Sequence, residues 1–120
     1  MPLSESDIEE VDKIARAIHP TLPEQEEVFA EKLHLFLHGC FKLLMEENMA
    51  GYAFAHPWML YSVPPLNDFL DELPNDPDCM YIHDVAVLPA ARGRNAAGAF
   101  VEQISTVART MGIKHLICVS

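Results

Sequence analysis

The chain is poor in basic residues and in cysteine. It carries 8 lysines and arginines against 18 acidic residues, which gives a formal net charge of −10. Such a surface repels the phosphates of a nucleic acid, so we expect no nucleic-acid partner. The cysteines at positions 40, 79 and 118 are odd in number and far apart. This spacing argues against a disulfide framework or a zinc site and indicates reduced thiols in a cytoplasmic protein.

Long apolar segments are also missing, and no leader is expected from the first residues. No run of 18 apolar residues occurs, so no membrane-spanning helix and no membrane partner are predicted. The first seven residues are acidic and lack the basic and apolar regions of a signal peptide. Half of the 120 residues are hydrophobic, which suits one domain over residues 1–120 with a core of its own.

The charge that is present is unevenly distributed. Residues 1–80 carry 16 acidic and 4 basic side chains, whereas residues 81–120 carry 2 acidic and 4 basic ones. An anionic ligand near the last third of the chain and a cationic one near the acidic part would suit this pattern. A solvated acidic face that only confers solubility fits the first 80 residues equally well.

Two helices are predicted in the first third of the chain. A capping-box pattern at residues 6–9, followed by apolar residues at helical spacing, predicts a helix over residues 7–18. A second capping box at residues 21–24 predicts another helix that ends near Leu37, with Gly39 as its stop.

Three side chains with metal-binding capacity share one face of the second helix. Glu31, His34 and His38 stand at i, i+3 and i+7. They lack the spacing of the His-Glu-x-x-His zinc motif, so we interpret them as a polar helix face and predict no metal site.

An antiparallel hairpin follows these helices. Residues 40–46 and 49–56 have strand character, and Glu47 with Asn48 suits a tight turn between them. Pro57 is expected to close the second strand. Gly51 within that strand predicts a bulge or a close backbone approach.

A long proline-rich segment separates the hairpin from the next strand. Residues 57–79 contain five prolines, and residues 67–73 are predicted to form a short helix with Phe69, Leu70 and Leu73 inward. The segment is either a wall of a ligand site, with Trp58 and Tyr61 as aromatic contacts, or a surface insertion whose aromatics pack on the core.

A strand, a turn of small residues and a helix then follow in direct succession. The strand over residues 81–88 stops before Pro89, and the helix that begins near Ala96 ends at Gly112. Unpaired N–H groups at the start of a helix, with little side-chain bulk around them, bind anions such as a pyrophosphate. Residues 113–119 are predicted to be a last strand, which makes a β-α-β crossover.

This stretch resembles motif A of the GCN5-related N-acetyltransferase (GNAT) superfamily. The motif is a strand ending in Val-Ala-Val, then Pro-x-x-Arg-Gly-x-Gly-x-Gly/Ala and a helix. It is matched by Val85, Ala86, Val87, Pro89, Arg92, Gly93 and Ala97. Asn95 stands where the family has its middle glycine, and asparagine tolerates the left-handed backbone conformation better than most residues do.

The resemblance implies an α/β (α+β) fold and a cofactor. The expected fold is a GNAT-like mixed sheet with an antiparallel hairpin, followed by the β-α-β crossover that carries the acetyl-CoA loop. The family continues with a further helix and strands, so the resemblance implies a single domain that is truncated after the family's fifth strand. An apolar strand left at an open edge predicts a homodimer through this C-terminal strand.

The resemblance also implies the site residues. The pantetheine arm of acetyl-CoA is expected beside the strand, and the turn is expected to wrap the pyrophosphate. The residues assigned to the cofactor are Val85, Ala86, Val87, Arg92, Gly93, Arg94, Asn95, Ala96 and Ala97.

The candidate catalytic residues are His83, Tyr81 and Asp84. In a family member with a His-x-His pair before its Leu-Ala-Val, the histidine at the position of His83 is credited as the general base, and Tyr81 stands for the other histidine. Asp84 is the alternative base. Strand alternation predicts Tyr81, His83, Val85 and Val87 on one face, and Ile82, Asp84 and Ala86 on the other.

The function implied is acetyl-CoA-dependent N-acetylation of a primary amine of a small molecule or protein. Two alternatives stay open. One is a domain that binds CoA but is catalytically incomplete. The other is an interaction module that is completed by a second chain.

Overall fold

The computed structural model describes residues 1–18, 25–60, 70–93 and 95–118, with only the backbone at position 118. The helices within these ranges are α1 (Ile8–Ile18), α2 (Glu26–Leu35) and α3 (Ala96–Thr110). The strands are β1 (Cys40–Met45), β2 (Asn48–Trp58), β3 (Cys79–Val87) and β4 (Leu116–Cys118). None of the helices in these ranges is long and apolar enough to cross a bilayer.

The four strands form one mixed sheet in the order β1-β2-β3-β4. The first two pairings are antiparallel. Strands β3 and β4 pair in parallel, and α3 connects them in the sequence. The predicted fold class, a hairpin followed by a β-α-β crossover, is therefore confirmed.

The strand β2 separates two apolar layers because its side chains alternate. Tyr52 and Phe54 are fully buried on one face, where the Phe29 ring of α2 lies 5.7 Å and 5.1 Å from their rings. On the other face, Ala53 and Ala55 share a buried cluster with residues of α3. Burying a large apolar side chain contributes about 1.5–3 kcal/mol. These buried contacts therefore hold α2 on one face of the sheet and α3 on the other.

Strand β3 contains a bulge that reverses its alternation. Phe54 of β2 is opposite Asp84, but its neighbour Ala55 is opposite Ile82, which leaves His83 as the extra residue. One inserted residue changes the face of every side chain on one side of it. The prediction of a uniform alternation along this strand is therefore wrong.

The contacts around the bulge show the new arrangement. Tyr81, His83 and Asp84 all contact the face of β2 that carries its aromatic side chains. Val85 and Val87 instead lie on the α3 side of the sheet. Tyr81 and His83 are thus separated from the two valines, and Asp84 joins them on the same face.

Helix α1 ends at residue 18 as predicted and begins one residue later than predicted, whereas the capping turn and the end of α2 differ from the prediction. The capping interaction involves residues 4–7, because the Ser4 N–H donates to Asp7 Oδ2 at 2.9 Å, and α1 begins after this turn. Helix α2 ends at Leu35, before the predicted Leu37, because Phe36 leaves the helical backbone conformation with φ −148°. The second capping box, at residues 21–24, lies outside the described residues.

The hairpin differs from the prediction in its turn and its length. Glu46 and Glu47 form the turn with φ values of 53° and 69°, one position earlier than expected. Strand β2 continues through Pro57, which the sequence had predicted to close it. Strand β1 begins at Cys40, opposite Phe54, so among the described strands Pro57 of β2 pairs with β3 alone, and a missing N–H is tolerated on the other side.

Gly51 lies where the sequence predicted a bulge or a close approach, and both occur. The register of β1 against β2 shifts next to it, and a Cβ at this position would press on the Ala86 carbonyl oxygen.

The short helix predicted over residues 67–73 is not present in the part of that segment that the structure describes. Residues 70–73 are irregular, and residues 61–69, including Tyr61, lie outside the described residues. Leu70 is buried as expected, Leu73 is only half-buried, and Phe69 lies outside the described residues. Glu31 of α2 holds this segment, because its carboxylate oxygens accept the N–H groups of Leu70 at 2.6 Å and Asp71 at 2.8 Å.

The two ends of the described chain also depart from the prediction. Residues 1–3, for which no element was predicted, bond to β1, with the Leu3 N–H donating to the Cys40 carbonyl and the Lys42 N–H to the Met1 carbonyl. Strand β4 begins only at Leu116, whereas the sequence predicted a strand from Ile113. The side chain of Ile113 is buried under α3 instead.

Candidate functional site

One edge of β3 becomes open at the middle of the strand. Strand β4 pairs with β3 only from Met80 to Ile82, and no other described strand continues this pairing along residues 83–87. The side chains of Val85 and Val87 are half-buried there. An open strand edge offers a row of backbone donors and acceptors, to which an extended amide-bearing ligand can bond as an added strand.

The turn after β3 bends back over the end of the strand. The Leu88 N–H donates to the Ala50 carbonyl at 2.8 Å, and Pro89–Ala91 form one tight helical turn. Arg92 Nε then donates to the Val87 carbonyl at 3.2 Å. This bond uses one of the five guanidinium N–H donors, so four remain at the Nη atoms of an exposed side chain.

The start of α3 is shaped by two left-handed backbone positions. Gly93 has φ 84° and Asn95, the N-cap residue, has φ 55°. No described side chain caps the first turn of α3. The first N–H groups of a helix have no partner within it and lie at the positive end of the dipole, so this turn is suited to an anion.

Gly98 leaves room for the Asn95 side chain at the start of α3. A Cβ at Gly98 would collide with the Asn95 side chain, which lies across the first turn of α3. Asparagine therefore adopts the left-handed conformation expected of the family's glycine, but it adds an amide group beside the anion site. Ala96 is buried and Ala97 is exposed, while Arg94 lies outside the described residues.

A cluster of rings lies on the aromatic face of the sheet at the bulge. His56 is 1% exposed, and its ring centroid lies 5.8 Å from that of Tyr81 and 5.6 Å from that of His83. The His83 and Tyr81 rings are 6.0 Å apart. The third predicted catalytic residue, Asp84, accepts a 2.8 Å hydrogen bond from the Tyr52 phenol.

The predicted residues thus fall into two adjacent groups. The cofactor residues lie along the open edge and the turn, and the three catalytic candidates lie at the bulge that precedes them in β3. Sequence reasoning missed His56 and Tyr52. The missed signal was the alternation of Tyr52, Phe54, His56 and Trp58 along β2, which places four ring side chains on one face.

The two cysteine thiols whose surroundings are described are unsuited to nucleophilic chemistry. Burial raises the pKa of Cys40 to about 12 despite the nearby charge of Lys32, and its Sγ donates to the Phe36 carbonyl. Burial also raises the pKa of Cys79. Only a thiolate is a strong nucleophile, so both side chains act as core residues.

No group of three or more metal-ligating side chains occurs among the described residues. The carboxylate of Glu31, one of the three residues considered in the sequence, binds backbone N–H groups of residues 70 and 71.

The open edge of β3 leads into a glycine-containing turn and a helix whose first turn is not capped by a described side chain. These features define an α/β protein with an anion-binding loop. The sequence model of the acetyltransferase (GNAT) family matches residues 8–120, and the chain therefore belongs to this family. A comparison with curated protein sequences gives no match.

Solved structures with the same fold include enzymes of different chemistry. The GphF GNAT-like decarboxylase in complex with isobutyryl-CoA has a TM-score of 0.87 and 18% identity, over 100% of this chain and 64% of that chain. The loading GNATL domain of CurA from Lyngbya majuscula has a TM-score of 0.85 and 12% identity, over 100% and 63%. The ribosomal-protein-S18-alanine N-acetyltransferase from Escherichia coli has a TM-score of 0.70 and 18% identity, over 98% and 63%.

These three likenesses show the fold. The chain spans less than two thirds of the length of each of these structures.

Proposed function

We propose that this domain transfers the acetyl group of acetyl-CoA to a primary amine of a small molecule or protein. The observation that carries the proposal is the continuity of the open β3 edge with the turn and the first turn of α3. Family membership and the structural neighbour with a bound acyl-CoA support it.

The residues present fit the cofactor in two parts. The backbone beside Val85, Ala86 and Val87 would bond the amides of the pantetheine arm. The pyrophosphate would lie at the turn, on the N–H groups from Gly93 to Ala97 and on Arg92, with Arg94 and Asn95 assigned to the same contacts by the family motif. A hydrogen bond to a charged group contributes about 1.5–3 kcal/mol, so several of them suffice for specific binding.

The reaction requires a neutral amine and an accepted proton. The amine nitrogen attacks the thioester carbon, the C–S bond breaks, and the thiolate leaves while the amine loses its proton. An alkyl amine has a pKa near 10, so supplying its neutral form at pH 7 costs about 4 kcal/mol. A general base contributes roughly 10²–10⁴ in rate.

We assign the base role to His83, which is half-buried at the bulge that precedes the cofactor edge. Asp84 is the alternative base, although one of its oxygens is bonded to Tyr52. Tyr81, the third catalytic candidate, is 5% exposed, and its ring lies 6.0 Å from that of His83. A backbone N–H near Val85 is the proposed donor to the thioester oxygen.

The acidic first two thirds of the chain and the half-buried Trp58 favour a cationic acceptor that carries an apolar or aromatic group. A cytoplasmic location and a homodimer through the C-terminal strand stay predictions. Sedimentation at micromolar concentration tests the homodimer, because a monomeric mass contradicts it.

The test of the function combines binding with turnover. We expect acetyl-CoA to bind in calorimetry and free thiol to appear only when an amine from a panel is added. Binding without thiol release would support the alternative of a catalytically incomplete CoA-binding domain. Absence of binding would contradict the CoA site itself and favour the interaction module.

Decarboxylation is a second candidate function. The GNAT-like decarboxylase superposes on the whole chain with a TM-score of 0.87, against 0.70 for the ribosomal-protein acetyltransferase. In such a reaction the bond between the α-carbon and the carboxylate breaks, CO2 leaves, and the thioester enolate takes a proton. The histidine and tyrosine side chains at the bulge are suitable proton donors. Release of CO2 from malonyl-CoA without an amine would favour this function over amine acetylation.

A further inference from the structure

Asp84 is a half-buried carboxylate at the border of an apolar core cluster. It follows the bulge residue His83 in β3 and lies opposite Phe54, which is fully buried. Its Oδ2 accepts the hydrogen bond of the Tyr52 phenol at 2.8 Å. A charge that is partly withdrawn from water is screened less by salt than an exposed one, so this carboxylate acts strongly on any charge that comes close to it.

The Tyr52 phenol is itself held by packing. Its ring is fully buried, and the rings of Phe29 and Phe54 meet it edge-on at 5.7 Å and 5.6 Å, both at 74°. A ring that is held by two others keeps its hydroxyl group in one direction, so the hydrogen bond also orients the carboxylate that accepts it. The Tyr52 side chain therefore supplies a fixed donor to a half-buried acid.

The hydrogen bond also decides between two roles of the carboxylate. A donor to a carboxylate stabilises its ionised form relative to its neutral form. This makes the carboxylate a weaker proton acceptor, which suits the binding of a cation better than the removal of its proton. An ionised carboxylate offers about four acceptor positions, so it can accept from a phenol and from an ammonium group together.

A primary amine reaches the protein as a cation at neutral pH, because its pKa is near 10. The carboxylate of Asp84 lies on the same face of the sheet as the proposed base His83, its neighbour in β3. We propose that Asp84 binds the ammonium group of the acceptor and that Tyr52 is the positioning residue that holds Asp84 for this contact. The acceptor is then a primary amine that binds in its protonated form, beside the histidine that takes the proton. This inference rests on the proposed function and deepens it.

The first experiment measures binding without turnover. Benzylamine, which is an ammonium ion at pH 7, and benzyl alcohol, which is neutral and of similar shape, are titrated into the full chain with and without CoA. Backbone ¹H–¹⁵N spectra follow the signals of residues 83 and 84. We expect saturable shifts with benzylamine and at least about tenfold weaker binding of the alcohol, since a hydrogen bond to a charged group is worth a factor of this size.

Three variants separate the contributions. Asp84→Asn should abolish the preference for the ammonium ion over the alcohol. Tyr52→Phe keeps the ring and removes only the hydroxyl group, so it should weaken benzylamine binding by about threefold to tenfold, the size of one ordinary hydrogen bond, and leave the alcohol unaffected. Glu102→Gln is the matched control. It removes the same charge at an exposed position of α3, on the other face of the sheet, and should bind both ligands like the wild type.

The binding data can overturn each part of the proposal. If benzylamine leaves the signals of residues 83 and 84 unshifted at millimolar concentration, or binds Asp84→Asn as well as the wild type, then Asp84 is not the ammonium site. If folded Tyr52→Phe binds benzylamine like the wild type, the positioning role of Tyr52 is overturned. Should Tyr52→Phe not fold, the preference measured in Asp84→Asn still decides the ammonium site.

The second experiment measures turnover with the panel of amines. In Asp84→Asn we expect KM for the amine to rise about tenfold, while KM for acetyl-CoA stays within about twofold because the cofactor contacts lie at the open edge and the turn. An unchanged KM for the amine would contradict the proposal. A wild type that turns over no amine would refute the proposed function, whereas the binding data would still show whether Asp84 holds an ammonium group.

Discussion

The phenol of Tyr52 donates a 2.8 Å hydrogen bond to Oδ2 of Asp84 across the β2–β3 pair. Tyr52 is fully buried and lies opposite Ala86, two positions along β3 from Asp84, so the two side chains are diagonal neighbours on one face. The bond connects the alternative base to the core, and the bulge at His83 brings Tyr81 to the same face as Asp84.

We expect Tyr52→Phe to lower the free energy of unfolding by about 1–3 kcal/mol, because it leaves a partly buried carboxylate oxygen without its phenol donor. Urea denaturation at pH 7 measures this change. The Asp84→Asn variant completes a double-mutant cycle. Strictly additive effects of the two substitutions would show that the hydrogen bond does not couple these residues.

Arg92→Ala tests the anion site. We expect it to weaken CoA binding about tenfold, since one charge-assisted hydrogen bond is worth roughly 1.5 kcal/mol or more, and to leave thermal stability nearly unchanged because the side chain is exposed. Calorimetry measures the affinity. Arg109→Ala, an exposed arginine in the last turn of α3, is the matched control and should bind CoA like the wild type. Equal affinity in Arg92→Ala would contradict the phosphate contact.

His83→Ala tests the general base. We expect kcat at neutral pH to fall by roughly 10²–10⁴ while the affinity for acetyl-CoA stays nearly the same, because the residue lies at the bulge and outside the turn. Rates over a range of pH are compared with those of Asp84→Asn. A pH–rate profile that is unchanged in His83→Ala would remove this histidine from the mechanism and leave Asp84 as the candidate.

Glu31→Gln tests the connection between α2 and the segment after position 70. A carboxylate accepts both N–H groups, of Leu70 and Asp71, whereas the amide of glutamine offers only one acceptor oxygen. We expect a loss of stability of about 1–2 kcal/mol and faster hydrogen exchange at residues 70 and 71. Glu27→Gln, at an exposed position of the same helix, should leave the exchange rates unaltered. Equal exchange in both variants would mean that Glu31 does not hold the segment.

The ionisation of Asp7 should make the free energy of unfolding depend on pH. Burial opposes its ionisation, but hydrogen bonds from Lys42, at 2.8 Å, and Ser4 outweigh it and leave the pKa of Asp7 below its ordinary value of 3.8. Because the folded-state pKa is the lower one, this contribution is present above pH 3.8 and is lost as the pH falls through the folded-state value.

Asp7→Asn should therefore cost about 1 kcal/mol at pH 7 and make little difference once the carboxyl is protonated in both states. Thermal unfolding between pH 2 and 7 measures the difference in stability between Asp7→Asn and the wild type. A single partly exposed ion pair is expected to contribute about 1 kcal/mol. Glu10→Gln removes the exposed pair with Lys13 and should change stability by less. A constant deficit of Asp7→Asn at every pH would contradict the ionic origin.

Local signals in the sequence were sufficient for the elements that depend on a few neighbouring residues. Pro89 marks the end of β3 because it has no N–H to donate, and Gly112, at φ 75°, ends α3 because only glycine adopts this conformation without strain. The order of strand, turn and helix around Arg92 follows from the same local chemistry. It allowed both the fold class and the anion-binding turn to be predicted.

The tertiary structure alone decided which side chains meet. The extra residue at His83 has no sequence signal of its own, because a bulge results from the pairing of two strands that are distant in the chain. It placed Tyr81 on the same face as Asp84, and His83 lies against His56 there. Residue types and turns are therefore readable from the chain itself, whereas the face on which each catalytic candidate lies depends on a register that only the assembled sheet fixes.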